Sequence, residues 1–176
     1  MGVKMLDGSG KFLPESKRAL PTPKTAFFKI FGFARLFPKS KYFSKYHLSY
    51  LDKDETHEID VLSGAFMFMR KEALDKSGLL DERFFMYGED IDLSYRILQN
   101  GYKNYYFPGT SIIHFKGEST KKNSLNYVKM FYNAMLLFYK KHFSGKYLSL
   151  LSPLIQIAIY LRAGASLINR IFVKLW

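Results

Sequence analysis

The residues best able to do chemistry lie in one stretch, Phe84-Phe85-Met86-Tyr87-Gly88-Glu89-Asp90-Ile91-Asp92-Leu93. Glu89, Asp90 and Asp92 are three carboxylates within four positions, where the pattern starts a helix. Acidic residues in a first turn complement the helix dipole by roughly 0.3–1 kcal/mol each, and that alone would account for them. Two features point further. The carboxylates directly follow Gly88 and an aromatic cluster, the composition of a cleft wall rather than of a solvated face. They would also crowd one another, and like charges at close range raise at least one carboxyl pKa. Such a carboxylate is a serviceable general base towards a hydroxyl.

The surrounding pattern supplies elements to hold this stretch. Residues 59–69 (IDVLSGAFMFM) are apolar on both alternating faces, which predicts a strand buried on both sides. Gly64 in its middle would admit a close backbone or ligand. Residues 70–77 read as a short helix stopped by Gly78, and residues 79–86 as a partly buried connection. Residues 89–100 read as a second helix closed by Gly101. There Ile91, Tyr95 and Leu98 share one face, and Asp92 and Arg96 pair at i,i+4. Residues 102–107 and 111–115 are predicted strands separated by a Pro108-Gly109 turn. At the N-terminus GVKMLDGSGKF has the look of a strand, a Gly-rich turn and a second strand, with no apolar run of the kind a signal peptide needs.

Two further stretches are unlike the rest. Residues 11–45 are basic and aromatic, punctuated by Pro14, Pro21, Pro23 and Pro38. Such proline density rules out one long helix and leaves a short one over 24–36, carrying Phe27, Phe28, Ile30, Phe31 and Phe33. This stretch is either an irregular surface excursion or a lid or membrane-contacting loop. Residues 124–142 carry Val128, Phe131, Met135 and Phe138 at helical spacing, a strong amphipathic signal. Residues 147–161 are almost wholly apolar, interrupted by Pro153 and followed by Arg162, Arg170 and Lys174. A spanning helix needs roughly 20 apolar residues, so a membrane-surface or partly inserted helix fits better, with Trp176 at the interface. The expected division is a domain over 1–143 and a hydrophobic, membrane-associated segment over 144–176.

Bulk composition narrows the partners. The chain has 176 residues, no cysteine, 18% aromatics and a formal net charge of +12. Without cysteine there is no disulfide framework and no thiolate metal site. The positive charge calls for an anionic partner: nucleic acid, an acidic leaflet or a phosphate-bearing small molecule. Lysines scattered through loops and helix ends, with no arginine-rich stripe, argue against nucleic acid.

The segment SGAFMFMRKEALDKSGLLDERFFMYGEDIDLSYRILQNGYKNYYFPGTSIIHFKGEST resembles the C-terminal, acceptor-side half of bacterial family-2 glycosyltransferases of the GT-A fold, particularly rhamnosyltransferase-like members. VKMLDGSGKFLPESKR resembles the segment preceding it. The resemblance implies an α/β fold: the C-terminal part of a GT-A, Rossmann-like mixed sheet flanked by helices, then amphipathic, membrane-associated helices. It implies an inverting transfer of a sugar from a nucleotide-diphosphate donor to a saccharide or lipid-linked acceptor. The setting would be cell-surface polysaccharide synthesis at the cytoplasmic face of the bacterial inner membrane.

Under that resemblance Asp90, with Glu89 beside it, matches the carboxylate that deprotonates the acceptor hydroxyl. One base suffices for an in-line displacement, whereas retaining hydrolysis needs two carboxylates. Ser63, Gly64 and Ala65 match the strand that closes the donor-sugar pocket, and Tyr87, Gly88 and Asp92 join them as substrate-binding candidates. His114 matches a histidine that helps hold a divalent metal, Mn²⁺ or Mg²⁺, on the diphosphate; carboxylate and phosphate oxygens would supply most of the shell.

The acidic metal-binding motif of the nucleotide-binding half has no counterpart here. Asp52-Lys53-Asp54 has the letters but sits too late, in a polar, basic loop. His47, His57 and His142 carry no pattern, and Lys116, Lys121 and Lys122 read as a solvated loop. The expectation is a chain inactive by itself, whose metal ligand lies elsewhere. The competing reading is a non-catalytic, membrane-associated acceptor-binding module derived from such an enzyme.

Overall fold

The computed structural model describes residues 1–115, 125–145 and 151–174. The chain divides into two compact units, one of Met1–Asp81 with Asp90–Lys116, the other of Glu82–Glu89 with Gly117–Trp176. Lys116, Lys121, Lys122 and Trp176 lie outside the described residues.

The first unit is mixed α/β, built on a three-stranded sheet. β1 (Gly2–Leu6) and β2 (His57–Ile59) flank β3 (Asn104–Ile113), parallel and antiparallel to it respectively. Val3, Met5, Ile59 and Tyr106 are buried on this sheet, and Ala19, Leu48 and Leu62 complete the cluster around Tyr106. The Tyr106 hydroxyl donates to the Lys53 carbonyl at 2.6 Å. Burial pushes its pKa up to about 12.

Residues 102–107 and 111–115 form one strand, not two. β1 pairs with β3 on both sides of Pro108-Gly109, and the register jumps from Val3↔Phe107 to Lys4↔Ser111. The proline sits in the resulting bulge, where no ladder donor is needed. The expected second N-terminal strand is reduced to one antiparallel bridge, Leu6↔Phe12.

The largest departure is residues 59–69. Only Ile59 belongs to a strand. Beyond it the backbone donors go elsewhere: Asp60 and Val61 to the Arg18 carbonyl, Leu62 to Ser94 Oγ, Gly64 to Asp90 and Phe68 to the Met1 carbonyl. Ile59, Val61 and Leu62 of the segment are buried and Met67 and Met69 pack against the core, while Phe68 is 63% exposed. Carbonyls of separate segments and the side chains of Ser94 and Asp90, not a regular neighbouring strand, satisfy these amides.

The helices follow the sequence more closely. α1 (Pro23–Ile30) and α2 (Phe33–Leu36) replace the single helix expected over 24–36, because Gly32 turns left-handed at φ 79° between them. Thr22 caps α1, accepting from the Thr25 amide. α3 (Lys71–Ser77) ends at left-handed Gly78, and α4 (Glu89–Gln99) is followed by left-handed Gly101. The most buried face of α4 is not Ile91, Tyr95 and Leu98 but Asp92, Leu93, Ser94 and Ile97. Ser94 and Asp92 go inward because each meets a partner there: Ser94 Oγ takes the Leu62 amide and Asp92 holds Arg96.

In the second unit α5 (Leu125–His142) packs against α6 (Leu151–Lys174). Val128 and Phe138 of the expected stripe are buried, with Leu136, Tyr139 and Phe143. Phe131 is exposed. Pro153 lies in the first turn of α6, where a missing amide proton costs nothing, so it interrupts no helix. Among the described residues no helix is long and apolar enough to cross a membrane.

Tyr106→Phe should cost about 1 kcal/mol at neutral pH by removing one buried hydrogen bond. The folded pKa lies above that of an unfolded tyrosine, so the native state keeps its proton longer and wild-type stability falls as pH rises from about 10 to about 12. Urea titrations across that range should show a shallower decline for the phenylalanine variant.

Candidate active site around Asp90

Asp90 is held from two sides. Its Oδ2 accepts from Arg18 Nη2 at 2.6 Å and from the Gly64 amide at 3.1 Å, while Oδ1 accepts from the Ile91 amide at 2.8 Å. Arg18 and Asp90 side chains are 11% and 15% exposed, so the ion pair is nearly but not wholly shielded. The same Arg18 nitrogen donates to the Leu62 carbonyl at 3.0 Å. Burial raises the pKa of the neighbouring Tyr46 despite the guanidinium beside it. Burial alone would lower the Arg18 pKa, but Asp90 and Tyr46 outweigh it and the net direction is upward. The guanidinium is therefore a fixed charge at any working pH.

Local chain geometry explains why Arg18 can reach. Residue 17 is extended (φ −137°, ψ 119°) and Arg18 bridges Val61, so consecutive side chains leave on opposite sides. Lys17 goes one way, to the Leu48 and Leu51 carbonyls; Arg18 goes the other, to Asp90. Asn104 ties the arrangement to the sheet by donating to the Asp60 and Ser94 carbonyls at 2.8 and 3.2 Å.

Ser63, Gly64 and Ala65 form a turn, not a strand, at the lip beside Asp90. Gly64 and Ala65 are exposed, and the Phe66 amide closes the turn on the Ser63 carbonyl at 3.0 Å. A β-carbon at Gly64 would lie 3.5 Å from Asp90 Cβ, an ordinary contact, so the turn runs close against the Asp90 side chain. The carboxylate is thus positioned at its base and open beside an exposed backbone turn, a geometry suited to receiving a hydroxyl.

The other acidic residues separate by role. Asp92 is fully buried and binds Arg96 Nε at 2.8 Å. Arg96 in turn donates to the Ser77 and Leu79 carbonyls and so closes the end of α3 onto α4. That burial gives Asp92 a structural task in place of the expected substrate contact. The crowding expected among the carboxylates is answered by giving Asp90 and Asp92 a guanidinium each. Glu89 opens α4, half-buried.

Tyr87 and Gly88 belong to the second unit. The Tyr87 ring meets Tyr127 and Phe131 edge-on, with centroids 5.4 and 6.1 Å away. Gly88 is left-handed (φ 89°), and a β-carbon there would fall 3.1 Å from the Phe84 ring. The positive φ favours glycine, and a side chain would also press on the Phe84 ring. Just before them, Arg83, Phe84, Phe85 and Met86 line a cleft of about 310 Å³ with Met130, Asn133, Ala134 and Leu137 of α5.

His114 follows β3, half-buried, its amide donating to the Leu6 carbonyl at 2.8 Å. Among the described residues no three His, Asp or Glu side chains come together to hold a metal ion. His114 alone does not make a metal centre. In the 52–54 loop Asp54 pairs with Lys4, while Asp52 accepts from the Asp54 amide. Arg18 and Tyr46 carry no motif. Their only sequence signal is chemical: a shielded carboxylate needs a cation, and arginine fills that place better than lysine.

Arg18→Met should destabilise the fold by about 3 kcal/mol by stranding a shielded carboxylate, and adding Asp90→Asn should recover at least about 1 kcal/mol. Denaturant unfolding of both single variants and the double variant measures this coupling; strictly additive losses would refute it. Gly88→Ala should cost about 1–2 kcal/mol through left-handed strain, read as a lowered melting temperature.

Comparison with known proteins identifies the family of the chain. The model of the glycosyltransferase like family 2 matches residues 32–129, more than half of the chain. N-acetylglucosaminyl-diphospho-decaprenol L-rhamnosyltransferases from two strains of Mycobacterium tuberculosis are each 25% identical over 145 residues, covering 82% of this chain and 46% of theirs. The chain therefore spans about half the length of the curated relatives it matches. No solved structure matches the chain. With Asp90 at the head of α4 inside the matched region, the chain belongs to the family-2 glycosyltransferases and resembles their rhamnosyltransferase members.

Proposed function

We propose that Asp90 is the general base of an inverting sugar transfer, and that the chain supplies the acceptor side of that reaction. The observation that carries this is the Asp90 carboxylate held by Arg18 and the Gly64 amide beside an exposed turn. The acceptor hydroxyl gives its proton to Asp90 as its oxygen attacks the anomeric carbon. The bond to the nucleoside diphosphate breaks on the opposite face, with inversion. Arg18 is a positioning residue: it keeps the base ionised and aimed, and touches neither substrate. Ser63, Gly64, Ala65 and Tyr87 are assigned to substrate contact.

The donor in this reading is a nucleotide-diphosphate sugar, and the acceptor a saccharide on a lipid carrier, used in building a cell-surface polysaccharide. The relatives' names specify a diphospho-decaprenol acceptor and a rhamnosyl group, which supports a lipid-linked acceptor of that class. The largely apolar cleft beside Phe84 and Met86 suits part of such a lipid. A divalent ion on the diphosphate would take ligands beyond the described residues, with His114 at most an auxiliary one.

The reading places the protein at the cytoplasmic face of the bacterial inner membrane, with α6 on the membrane surface. Leu154, Ile157, Leu161 and Ile168 are exposed at intervals of three, four and seven residues, an apolar stripe seeking a partner.

Asp90→Asn, in a protein that also carries a nucleotide-binding half, should lower transfer at least about 100-fold with unchanged circular dichroism. Near-normal turnover in the folded variant would show that Asp90 is not the base, whereas acceptor binding without transfer by the unmutated protein favours the alternative, an acceptor-binding module without catalysis. Truncation after Gly145 should weaken sedimentation with anionic vesicles, and undiminished binding would remove α6 from the account.

A further inference from the structure

The stretch around α1 and α2 has no task in the chemistry above, yet it is ordered by its own aromatic core. The half-buried rings of Phe28, Phe33 and Phe43 pack together, with Phe28 and Phe33 edge-on at 5.9 Å, Phe28 and Phe43 edge-on at 5.0 Å, and Phe33 and Phe43 stacked at 5.7 Å. Around that core large apolar groups face outward. Phe31 is 64% exposed, Leu36 71% and Phe37 50%, and Phe27 and Tyr42 are similarly open. A soluble surface places single apolar residues outward routinely, but not five within sixteen positions.

Charge identifies the occupant. Lys24, Lys29, Arg35, Lys39, Lys41 and Lys45 punctuate the same stretch, and no Asp or Glu occurs between Glu15 and Asp52. The Lys24 and Lys29 ammonium groups lie over the Tyr42 and Tyr46 rings, 4.1 and 3.8 Å from their centroids. A protein partner of ordinary composition would meet six cations with few counter-charges. An anionic lipid leaflet offers an apolar interior for the rings and phosphate headgroups for the cations at once.

We infer that residues 27–42 form a membrane-docking surface that inserts Phe27, Phe31, Leu36 and Phe37 into an anionic phospholipid leaflet. This contact belongs to the first unit and is separate from the stripe on α6. It does not depend on sugar transfer. It also adjoins Asp90's partner: Lys29 covers the Tyr46 ring, and Tyr46 neighbours the Arg18 that holds Asp90.

The test uses the full chain carrying Trp176→Phe, so that Phe31→Trp provides the single tryptophan. It is mixed with vesicles of equal parts phosphatidylglycerol and phosphatidylcholine, or of phosphatidylcholine alone, with brominated acyl chains as quenchers. Quenching of the residue-31 tryptophan in the anionic vesicles, and much less in the neutral ones, is expected. Without the reporter changes, Phe31→Asp with Leu36→Asp should lower vesicle affinity at least about tenfold, and Lys39→Glu with Lys41→Glu should do so for anionic vesicles only. Leu79→Asp, at an exposed position outside the patch, should change affinity less than about twofold. Circular dichroism confirms folding of each variant, and the charge pair provides a second route should the aspartates unfold the patch. An unquenched tryptophan, or vesicle affinity indifferent to both pairs, overturns the proposal. So does a chain that self-associates through this patch, with the aspartates dissolving the oligomer and leaving vesicle affinity unchanged.

Discussion

The ion pair between Arg18 and Asp90 is the interaction on which the first unit depends. It joins the loop after the Pro14–Ser16 turn to the head of α4, across 72 positions of sequence. Shielded ion pairs add little net stability compared with a well-packed apolar pair, but losing one partner is costly. What such a pair provides is placement. With Gly64 and Leu62 also bound to these two side chains, the 62–64 turn, Arg18 and Asp90 become one rigid corner. Asn104 and Ser94 extend the corner to the sheet and the buried face of α4.

This corner also explains where sequence reading failed. Residues 59–69 carry the apolar pattern of a buried strand, but their amides are taken by Ser94, Asp90 and the Arg18 carbonyl. Periodicity records which residues are apolar, not which acceptors lie nearby. The partners come from distant segments, so no local pattern announces them. Asp90 was legible as a candidate at the start of a helix, because an acidic cluster behind glycine and aromatics is unusual, and α4 does begin there. So were α3, α4 and α5, whose stop signals and spacing are local. Arg18 and Tyr46 were not: one is an arginine in a basic, proline-rich stretch, the other a tyrosine among many. Asp92 was legible as a helix pair with Arg96, and only its complete burial shows that the pair closes α3 onto α4 instead of facing a ligand.

The positive charge of the chain resolves unevenly. Lys17 and Arg18 are spent internally, on carbonyls and on Asp90. The cations of residues 24–45 stand among exposed aromatics with no acid between them.

The central claim is that Arg18 aims Asp90 without touching substrate. Chemical rescue of an Arg18→Ala variant tests it most directly, in a protein able to complete the transfer. Turnover should fall with little change in KM for the donor, and added guanidinium should restore part of it, while Asp90→Asn stays unresponsive. Unimpaired turnover in a folded Arg18→Ala protein would contradict the account.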